Sequence, residues 1–314
     1  MNSSNLKSSI TTLLNGSGQV MFQQNSWTGA LFLCGIFYGA CECRMPQVAW
    51  GAVIGLISAT LAGIMTERKE DSGPQGLWGF NGILVGCAFP TFLSNTWGMW
   101  ATLIFCSMLS TWTRTAMNRV MESRGINSLT FPFVMLTWIF LLAARTMHGF
   151  TPEALPAPEL ESHFSFSLDT SIPALVTYWL KGISQVFLIN SPAAGAIFLA
   201  GIAVNSRRAA IYAASASAIA IAVAIAFQAD PHAIANGLFG YSPVLTGIAM
   251  GYVFTSYNLK SAIWAMTAII ATVFVQAATN MLLAPLGLPA LTAPFCFTTW
   301  LFLLPGYRFF VKQQ

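Results

Sequence analysis

Two glutamines and two threonines occupy equivalent positions in the two halves of this sequence. Gln19 has its counterpart at Gln185, and Thr130 has its counterpart at Thr292. Amide and hydroxyl side chains form hydrogen bonds without carrying charge. An amide inside an apolar segment needs a partner, because an unsatisfied polar group is costly there. These residue types suit either the recognition of a small neutral polar molecule or the attachment of one helix to another.

The equivalence rests on three pairs of similar segments that occur in the same order in each half. GSGQVMFQQNSWTGALFLCGI resembles GISQVFLINSPAAGAIFLAGI, LWGFNGILVGCAF resembles LFGYSPVLTGIAM, and LTFPFVMLTWIFLLAA resembles LTAPFCFTTWLFLLPG. The pairs begin at residues 16 and 182, 77 and 238, and 129 and 291. Separations of about half of the 314 residues indicate two copies of one unit, which we assign to 1–165 and 166–314.

The composition is that of a membrane protein. Hydrophobic residues make up 55% of the chain and charged residues 8%, whereas soluble domains carry about 25% charged residues. The mean hydropathy is +0.65. The segment 262–278 contains no Lys, Arg, Asp or Glu and approaches the roughly 20 residues that cross a hydrocarbon core. A lipid bilayer is therefore the expected surroundings.

Each half contains five apolar segments that are candidates for membrane crossings. In the first half they cover roughly 8–24, 27–42, 47–65, 96–114 and 129–148. In the second half they cover roughly 172–189, 193–206, 208–227, 258–282 and 291–311. Because five is an odd number, the second half would run through the membrane in the opposite orientation. The sequence predicts an all-α polytopic membrane protein built from two inverted repeats.

A sixth apolar segment in each half is too short to cross the membrane. These segments, 77–89 and 238–250, are rich in Gly and Pro. Segments of this kind are typical of re-entrant half-helices, and an ordinary buried loop is the alternative. We therefore predict one re-entrant half-helix in each repeat, with its end at a central passage.

The distribution of charge predicts the orientation in the membrane. The segment 149–180, between His148 and Lys181, is acidic and contains no Lys or Arg. We therefore expect it outside the cytoplasm. Its acidic residues are Glu153, Glu159, Glu161 and Asp169. We expect Arg114, Arg119 and Arg124 to mark a cytoplasmic loop, and Arg308 and Lys312 to place the C-terminus on the same side. Four basic residues oppose this assignment: Arg68, Lys69, Arg207 and Arg208. We expect both termini in the cytoplasm.

Bulky apolar side chains accompany the duplicated polar residues. They are Phe22, Phe80 and Leu84 in the first half, and Val186, Tyr241 and Leu245 in the second. Pro132 and Pro294 follow the threonines by two residues, and a proline within a helix disturbs the carbonyl four residues earlier. We therefore expect local carbonyls to face a cavity. Acceptors framed by flat apolar groups suit a small, planar, neutral molecule with many N–H groups, and urea has four.

The predicted spans provide no convincing pair of charges. Lys181 is the main ionisable residue near a span, and we expect it to extend to an interface. Ion pathways usually carry ionisable side chains within the membrane, so an ion pump or proton-coupled carrier is disfavoured. The sequence has no nucleophile–base pair or metal-binding motif in these spans, so we expect no enzyme activity, catalytic residue, metal or cofactor. We also expect no nucleic-acid partner.

At these positions the sequence resembles the urea transporter family. The resemblance rests on three motifs that occur once in each half: G-x-x-Q-V, G-[FY]-x-x-x-L-x-G and L-T-x-P-F. The family is similar in fold to the prediction above, with ten spanning helices and two half-helices in inverted repeats. Its members are usually homotrimers with one pore per protomer, and they pass urea passively down a gradient. The resemblance therefore implies a channel for facilitated diffusion of urea, of the bacterial type.

The resemblance also implies roles for individual residues. Thr130 and Thr292 would lie at the pore centre, and Gln19 and Gln185 would mark two outer urea sites. One aromatic slot would consist of Phe22, Phe80 and Leu84, and the other of Val186, Tyr241 and Leu245. The chain departs from the family at Ser242-Pro243, where Asn-Gly is usual, as at Asn81-Gly82. The hydroxyl of Tyr241 is a second difference between the slots.

Three alternatives follow from the same residues. A channel for water, ammonia or another small neutral amide would share the neutral lining, although paired N-P-A motifs and paired pore histidines are absent from the sequence. A membrane-embedded enzyme would need a reactive pair or a metal cluster. A structural or receptor role would not call for duplicated short helices. The short chain with small tails favours a bacterial inner membrane.

Overall fold

The computed structural model describes residues 3–66, 73–147 and 167–306, with side chains from Ser8 onward. Within these ranges the chain forms helices joined by turns and contains no β-strand, which confirms the prediction of an all-α protein. Several residues used to predict orientation lie outside the described residues, and the topology stays a prediction. They are Arg68, Lys69, Glu153, Glu159, Glu161, Arg308 and Lys312.

The chain divides into two compact units. The first contains Met1–Met121 and Asn127–Leu155, and the second contains Glu122–Ile126 and Pro156–Gln314. The helices of the first unit are α1 (Ser3–Gln19), α2 (Ser26–Glu42), α3 (Pro46–Thr66), α4 (Phe80–Phe92), α5 (Trp97–Met121) and α6 (Phe131–Ala144). Those of the second are α7 (Ile172–Ser184), α8 (Pro192–Asn205), α9 (Arg207–Ala226), α10 (Pro231–Ala235), α11 (Tyr241–Ile248), α12 (Leu259–Leu283) and α13 (Ala293–Leu303).

Helices in the two units begin in the same way at equivalent positions. The side chain of Asn25 accepts a hydrogen bond from the backbone at the start of α2, and that of Ser191 does so at the start of α8. Thr96 and Asn258 cap α5 and α12 through the same type of bond. Such caps satisfy N–H groups that a helix leaves without internal partners. The duplicated sequence thus directs the same local structure twice.

The turns that connect these helices also match. Leu129 and Leu291, one residue before the threonines, are left-handed with φ of 52° and 51°. Gly76 and Gly237, which precede α4 and α11, have φ of 102° and 71°. Left-handed backbone is uncommon for a residue with a branched side chain. Left-handed residues nevertheless occur at the same places in both units, so the turns before the predicted site residues have the same backbone shape.

The short helix α4 of the first unit packs closely on its neighbour α3. A Cβ atom added to Gly51 of α3 would lie 2.2 Å from the carbonyl oxygen of Gly86, and one added to Gly55 would lie 2.2 Å from that of Gly82. Only glycine therefore permits this approach of α3 and α4, as small residues do between membrane helices. Every residue from Phe80 to Pro90 is buried.

Among the residues that the structure describes, three helices are long and apolar enough to cross a membrane: Pro46–Thr66, Arg207–Ala226 and Leu259–Leu286, the last including a turn after α12. The pair Ile172–Phe187 and Pro192–Asn205, bent by 72°, adds a fourth crossing if it forms one broken span. Phe80–Phe92, Phe131–Ala144 and Ala293–Leu303 are shorter apolar helices. These lengths suit a helical membrane protein, while the number of crossings stays a prediction.

The short predicted segments are helical and are not loops. The segment 77–89 corresponds to α4, which continues to Phe92. The segment 238–250 corresponds to α11 followed by a π-helical turn from Ala249 to Val253. The carbonyl of Gly251 in this turn accepts a hydrogen bond from Arg208. The short helices α4 and α11 therefore begin alike and end differently; that they are re-entrant half-helices stays a prediction.

Candidate functional site

Gln19 and Gln185 make the same hydrogen bond in the two units. Gln19 ends α1, and its Nε2 donates to the carbonyl oxygen of Gln75 at 3.2 Å. Gln185 follows α7, and its Nε2 donates to the carbonyl oxygen of Asn236 at 2.9 Å. The segment leading into the half-helix thus holds the nitrogen end of each amide. The oxygen end, which is an acceptor, is not used in this bond.

Phe22 lies in the turn after Gln19 with a left-handed φ of 60°. Its N–H donates to the carbonyl of Gln19 at 3.0 Å, which closes the turn. Leu188 has φ of 59° and donates to the carbonyl of Gln185 at 3.0 Å. The backbone therefore pairs Phe22 with Leu188, while Val186 is buried within the turn with 1% of its surface exposed. Leu188 is not among the residues predicted from the sequence.

The remaining slot residues occupy the first residue and the following turn of the short helices α4 and α11. Phe80 and Leu84 are one helical turn apart on α4, and Tyr241 and Leu245 are one turn apart on α11. Residues separated by four positions lie on one face of a helix. Both rings retain 8% exposure and both leucines retain 0%. Each unit therefore presents an aromatic ring at the start of a short helix with a fully buried leucine beneath it.

Thr130 and Thr292 occupy the N-cap positions of α6 and α13. Each is 3% exposed, and neither side chain makes the capping hydrogen bond that a threonine commonly makes there. In α6 the N–H of Phe133 donates instead to Oδ1 of Asn81, at 3.2 Å. The two threonines therefore have the same backbone conformation and the same burial in their own units.

The expectation that Pro132 and Pro294 disturb the carbonyls four residues earlier is wrong, while the expectation that local carbonyls face a cavity stays a prediction. Both prolines lie in the first turn of their helices, where the missing N–H breaks no helical bond. The carbonyls four residues earlier belong to Ser128 and Ala290. They accept hydrogen bonds from the first helical residues at 3.0 Å and 3.2 Å. The prolines fix where α6 and α13 begin.

The hydroxyl of Tyr241 has a dedicated partner. Nε2 of Gln276, on α12, donates to it at 2.9 Å and also donates to Oδ1 of Asn280 at 3.0 Å. Gln276 is fully buried. Tyr241 thus keeps its ring at the position equivalent to Phe80 because the neighbouring helix satisfies the extra hydroxyl.

The assignment of Arg114 and Arg119 to a loop is wrong, because both lie within a helix, while the side of the membrane stays a prediction. Arg114 lies within α5, which continues to Met121, and 7% of its surface is exposed. Its Nε donates to the carbonyl of Leu77 at 2.8 Å, in the turn that leads into α4. The guanidinium of a buried arginine thus donates a charge-assisted hydrogen bond to a backbone carbonyl of this turn. In the second unit, Nζ of Lys181 lies 3.4 Å from the carbonyl oxygen of Ala235.

A cleft with a volume of about 280 Å³ opens in the first unit between α1, α3 and the segment from Pro74 to Trp78. None of the ten residues predicted to bind the substrate lines this cleft. Thr12 is among its few polar lining residues, and its hydroxyl donates to the carbonyl of Pro74 at 3.2 Å. The cleft is therefore separate from the residues singled out by the duplicated motifs.

The described ranges consist of apolar helices, some of them short and buried, with paired polar residues at helix ends. These features define a multi-pass helical membrane protein. A family model described as "Urea transporter" matches residues 10–307. The chain therefore belongs to the urea transporter family. Members of this family are channels or transporters and not enzymes.

Individual relatives agree with this assignment. Urea transporter 1 of Ovis aries is 28% identical over 298 residues, which cover 94% of this chain and 76% of the relative. Urea transporter 1 of Rattus norvegicus is 27% identical over 296 residues, which cover 93% of this chain and 76% of that protein. The similarity thus extends over most of the chain.

Proposed function

We propose that this protein allows urea to pass down its concentration gradient across a membrane, through a central pore lined by aromatic slots and hydrogen-bond acceptors. The observation that carries the proposal is the matched environment of Gln19 and Gln185. Both amides donate through nitrogen to a backbone carbonyl in the segment before a half-helix. Because both amides have the same orientation, an acceptor oxygen lies at the equivalent place in each half, where it suits the N–H groups of urea.

In this proposal, different residues accept hydrogen bonds from urea at the entrances and at the centre of the pore. The amide oxygens of Gln19 and Gln185 receive N–H groups of urea at the two entrances. Thr130 and Thr292 receive them at the centre, where urea has lost most of its water. Removing a polar group from water without new hydrogen bonds is costly, and acceptors placed along the path reduce this cost.

Flat apolar walls would restrict what enters. The rings of Phe80 and Tyr241, with Leu84 and Leu245 beneath them, form the floor of two slots that accept a planar molecule. Phe22 completes the first slot. We add Leu188 to the second slot, because its backbone matches that of Phe22, and Val186 remains the residue implied by family resemblance. A slot of this kind excludes hydrated ions, because apolar walls cannot replace their water.

The proposed architecture is a pair of inverted repeats, 1–165 and 166–314. Both units show the same succession, which supports it: a helix that ends at or just before a glutamine, a capped helix, a helix of 20 or 21 residues, a short helical turn and a short apolar helix. The paired left-handed residues at equivalent turns also support it. We further propose re-entrant half-helices, ten crossings, cytoplasmic termini, a homotrimer with one pore per protomer and residence in a bacterial inner membrane.

Selectivity tests the proposed substrate. We expect the purified protein in liposomes to accelerate entry of urea far more than entry of glycerol, which has a similar size but no planar amide. Stopped-flow light scattering of vesicles with and without protein measures both rates. Equal acceleration of urea and glycerol would contradict the slots. Acceleration of water or ammonia without urea would favour the alternative channel.

A further inference from the structure

The start of α6 is capped from another helix. The first N–H groups of a helix need acceptors outside it, and a threonine at the N-cap usually provides one to the second or third helical residue. Here the second helical residue is Pro132, which has no N–H, and the third is Phe133. The N–H of Phe133 donates to Oδ1 of Asn81 on α4, at 3.2 Å, and Thr130 makes no capping bond through its side chain.

This bond fixes the orientation of the Asn81 amide. A backbone N–H can only donate, so the atom facing Phe133 is the oxygen and the other end of the amide is Nδ2. Nδ2 is buried and has no hydrogen-bond partner within the described ranges, and only 1% of Asn81 is exposed. Buried side-chain donors are nearly always paired with protein or water, so a donor without a protein partner calls for a specific explanation.

The surroundings of Asn81 supply that explanation. Its neighbours on α4 are the slot residues Phe80 and Leu84, and its oxygen binds the helix that Thr130 begins. The amide therefore lies between one slot and the central threonine of the first unit. The other predicted polar contacts are acceptors or hydroxyls, whereas urea also has a carbonyl oxygen that requires a donor.

We propose that Asn81 is a further substrate-contacting residue whose two ends have different tasks. Oδ1 caps α6 and thereby holds the turn that carries Thr130. Nδ2 donates a hydrogen bond to the carbonyl oxygen of urea as it moves from the first slot to the centre. The assignment rests on the proposed passage of urea. At the equivalent position of the second unit stands Ser242, a shorter side chain with a single donor, so the two sides of the centre would differ in strength.

The test compares urea with thiourea, because sulfur is a weaker hydrogen-bond acceptor than oxygen. We expect Asn81→Ala to slow urea more than thiourea in proteoliposomes and to lower the urea-to-thiourea permeability ratio roughly threefold, somewhat less than the effect of one complete neutral hydrogen bond. Asn118→Ala is the matched control. Oδ1 of Asn118 accepts from the N–H of Ser128 at 2.8 Å, so this variant removes a similar bond from the same turn. Its permeability ratio is expected to equal that of the parent.

An unchanged ratio in a correctly inserted Asn81→Ala variant would overturn the proposal and leave Asn81 as a cap alone. If that variant does not insert, Asn81→Ser decides, because it places in the first unit the residue that the second unit carries at 242. A lowered ratio in Asn81→Ser supports the donor role, and a parental ratio overturns it. Failure of the parent protein to conduct urea would instead contradict the proposed function, so the two failures are distinct.

Discussion

Thr130→Val and Thr292→Val are each expected to slow urea passage about tenfold, which corresponds to a barrier increase of about 1.4 kcal/mol if this step limits flux. Valine keeps the shape of threonine and removes only the hydroxyl. Urea at this point has few water molecules, and an unmade hydrogen bond to a buried polar group costs about 1–3 kcal/mol. Serine keeps the hydroxyl, so Thr130→Ser and Thr292→Ser should retain more flux than the valine variants. Initial rates of urea entry into proteoliposomes measure the effect.

The same helices provide a matched control for this prediction. Thr137 and Thr299 lie seven residues further along, are fully buried and have hydroxyls without a hydrogen-bond partner in the described part of the chain. Thr137→Val and Thr299→Val remove an equal group from the same helices and should leave urea flux unchanged. If the variants at 130 and 292 also conduct at the parental rate, those threonines are packing residues and their assignment to the pore fails.

Gln276→Leu is expected to impair the second unit although residue 276 is not a predicted pore residue. The change removes the donor to Tyr241 and leaves a buried hydroxyl unsatisfied, at a cost of about 1–3 kcal/mol. Loss of the buried, unpaired Oε1 of Gln276 offsets part of that cost. We expect a lower midpoint of thermal unfolding, followed by tryptophan fluorescence, and slower urea flux because the Tyr241 ring is no longer held.

The double variant Gln276→Leu with Tyr241→Phe separates this explanation from general damage to α12. It removes the hydroxyl together with its partner and gives the second unit the phenylalanine that the first unit has at Phe80. Replacing both partners of a buried hydrogen bond by apolar groups of similar shape is nearly neutral. Thermal stability and flux should therefore recover towards the parental values. A double variant as impaired as Gln276→Leu would show that the hydroxyl is not the cause.

Most of the helical architecture follows from local sequence. The duplicated segments contain their own caps, such as Asn25 and Ser191, and their own turn residues, so both copies fold alike wherever the segments match. Apolar runs predicted where the helices lie. The shortness of 77–89 and 238–250 distinguished the two short helices there from the predicted membrane crossings. The predicted ends of the helices were less accurate than their positions. Met121 ends α5 seven residues after the predicted limit because a buried arginine is tolerated when a carbonyl accepts from it.

The candidate site was predictable only where a residue type repeats at an equivalent position. Gln19 and Gln185 met this condition, and the hydrogen bonds of both amides match. Leu188 was not identified, because its likeness to Phe22 lies in backbone conformation and not in side-chain type. The prolines were assigned to helix interiors because the beginning of α6 depends on the turn at Leu129, whose left-handed backbone has no signature in the residue itself.

Partners between helices were the part that local patterns could not provide. Gln276 lies 35 residues from Tyr241, and Asn81 lies 52 residues from Phe133. Each was visible in the sequence only as a polar side chain in an apolar segment, which indicates that a partner is needed but does not say which. The packing of α12 on α11, and of α6 on α4, supplies the missing information.

The steady-state distribution of labelled urea across proteoliposome membranes tests the central claim most directly. The spans predicted from the sequence carry no convincing pair of charges that would couple transport to an ion, so we expect passive equilibration. Entry should be faster than into protein-free vesicles, and the inside-to-outside ratio should settle at one with or without imposed proton and sodium gradients. Entry no faster than into protein-free vesicles, or accumulation above a ratio of one when a gradient is imposed, would contradict a passive urea channel.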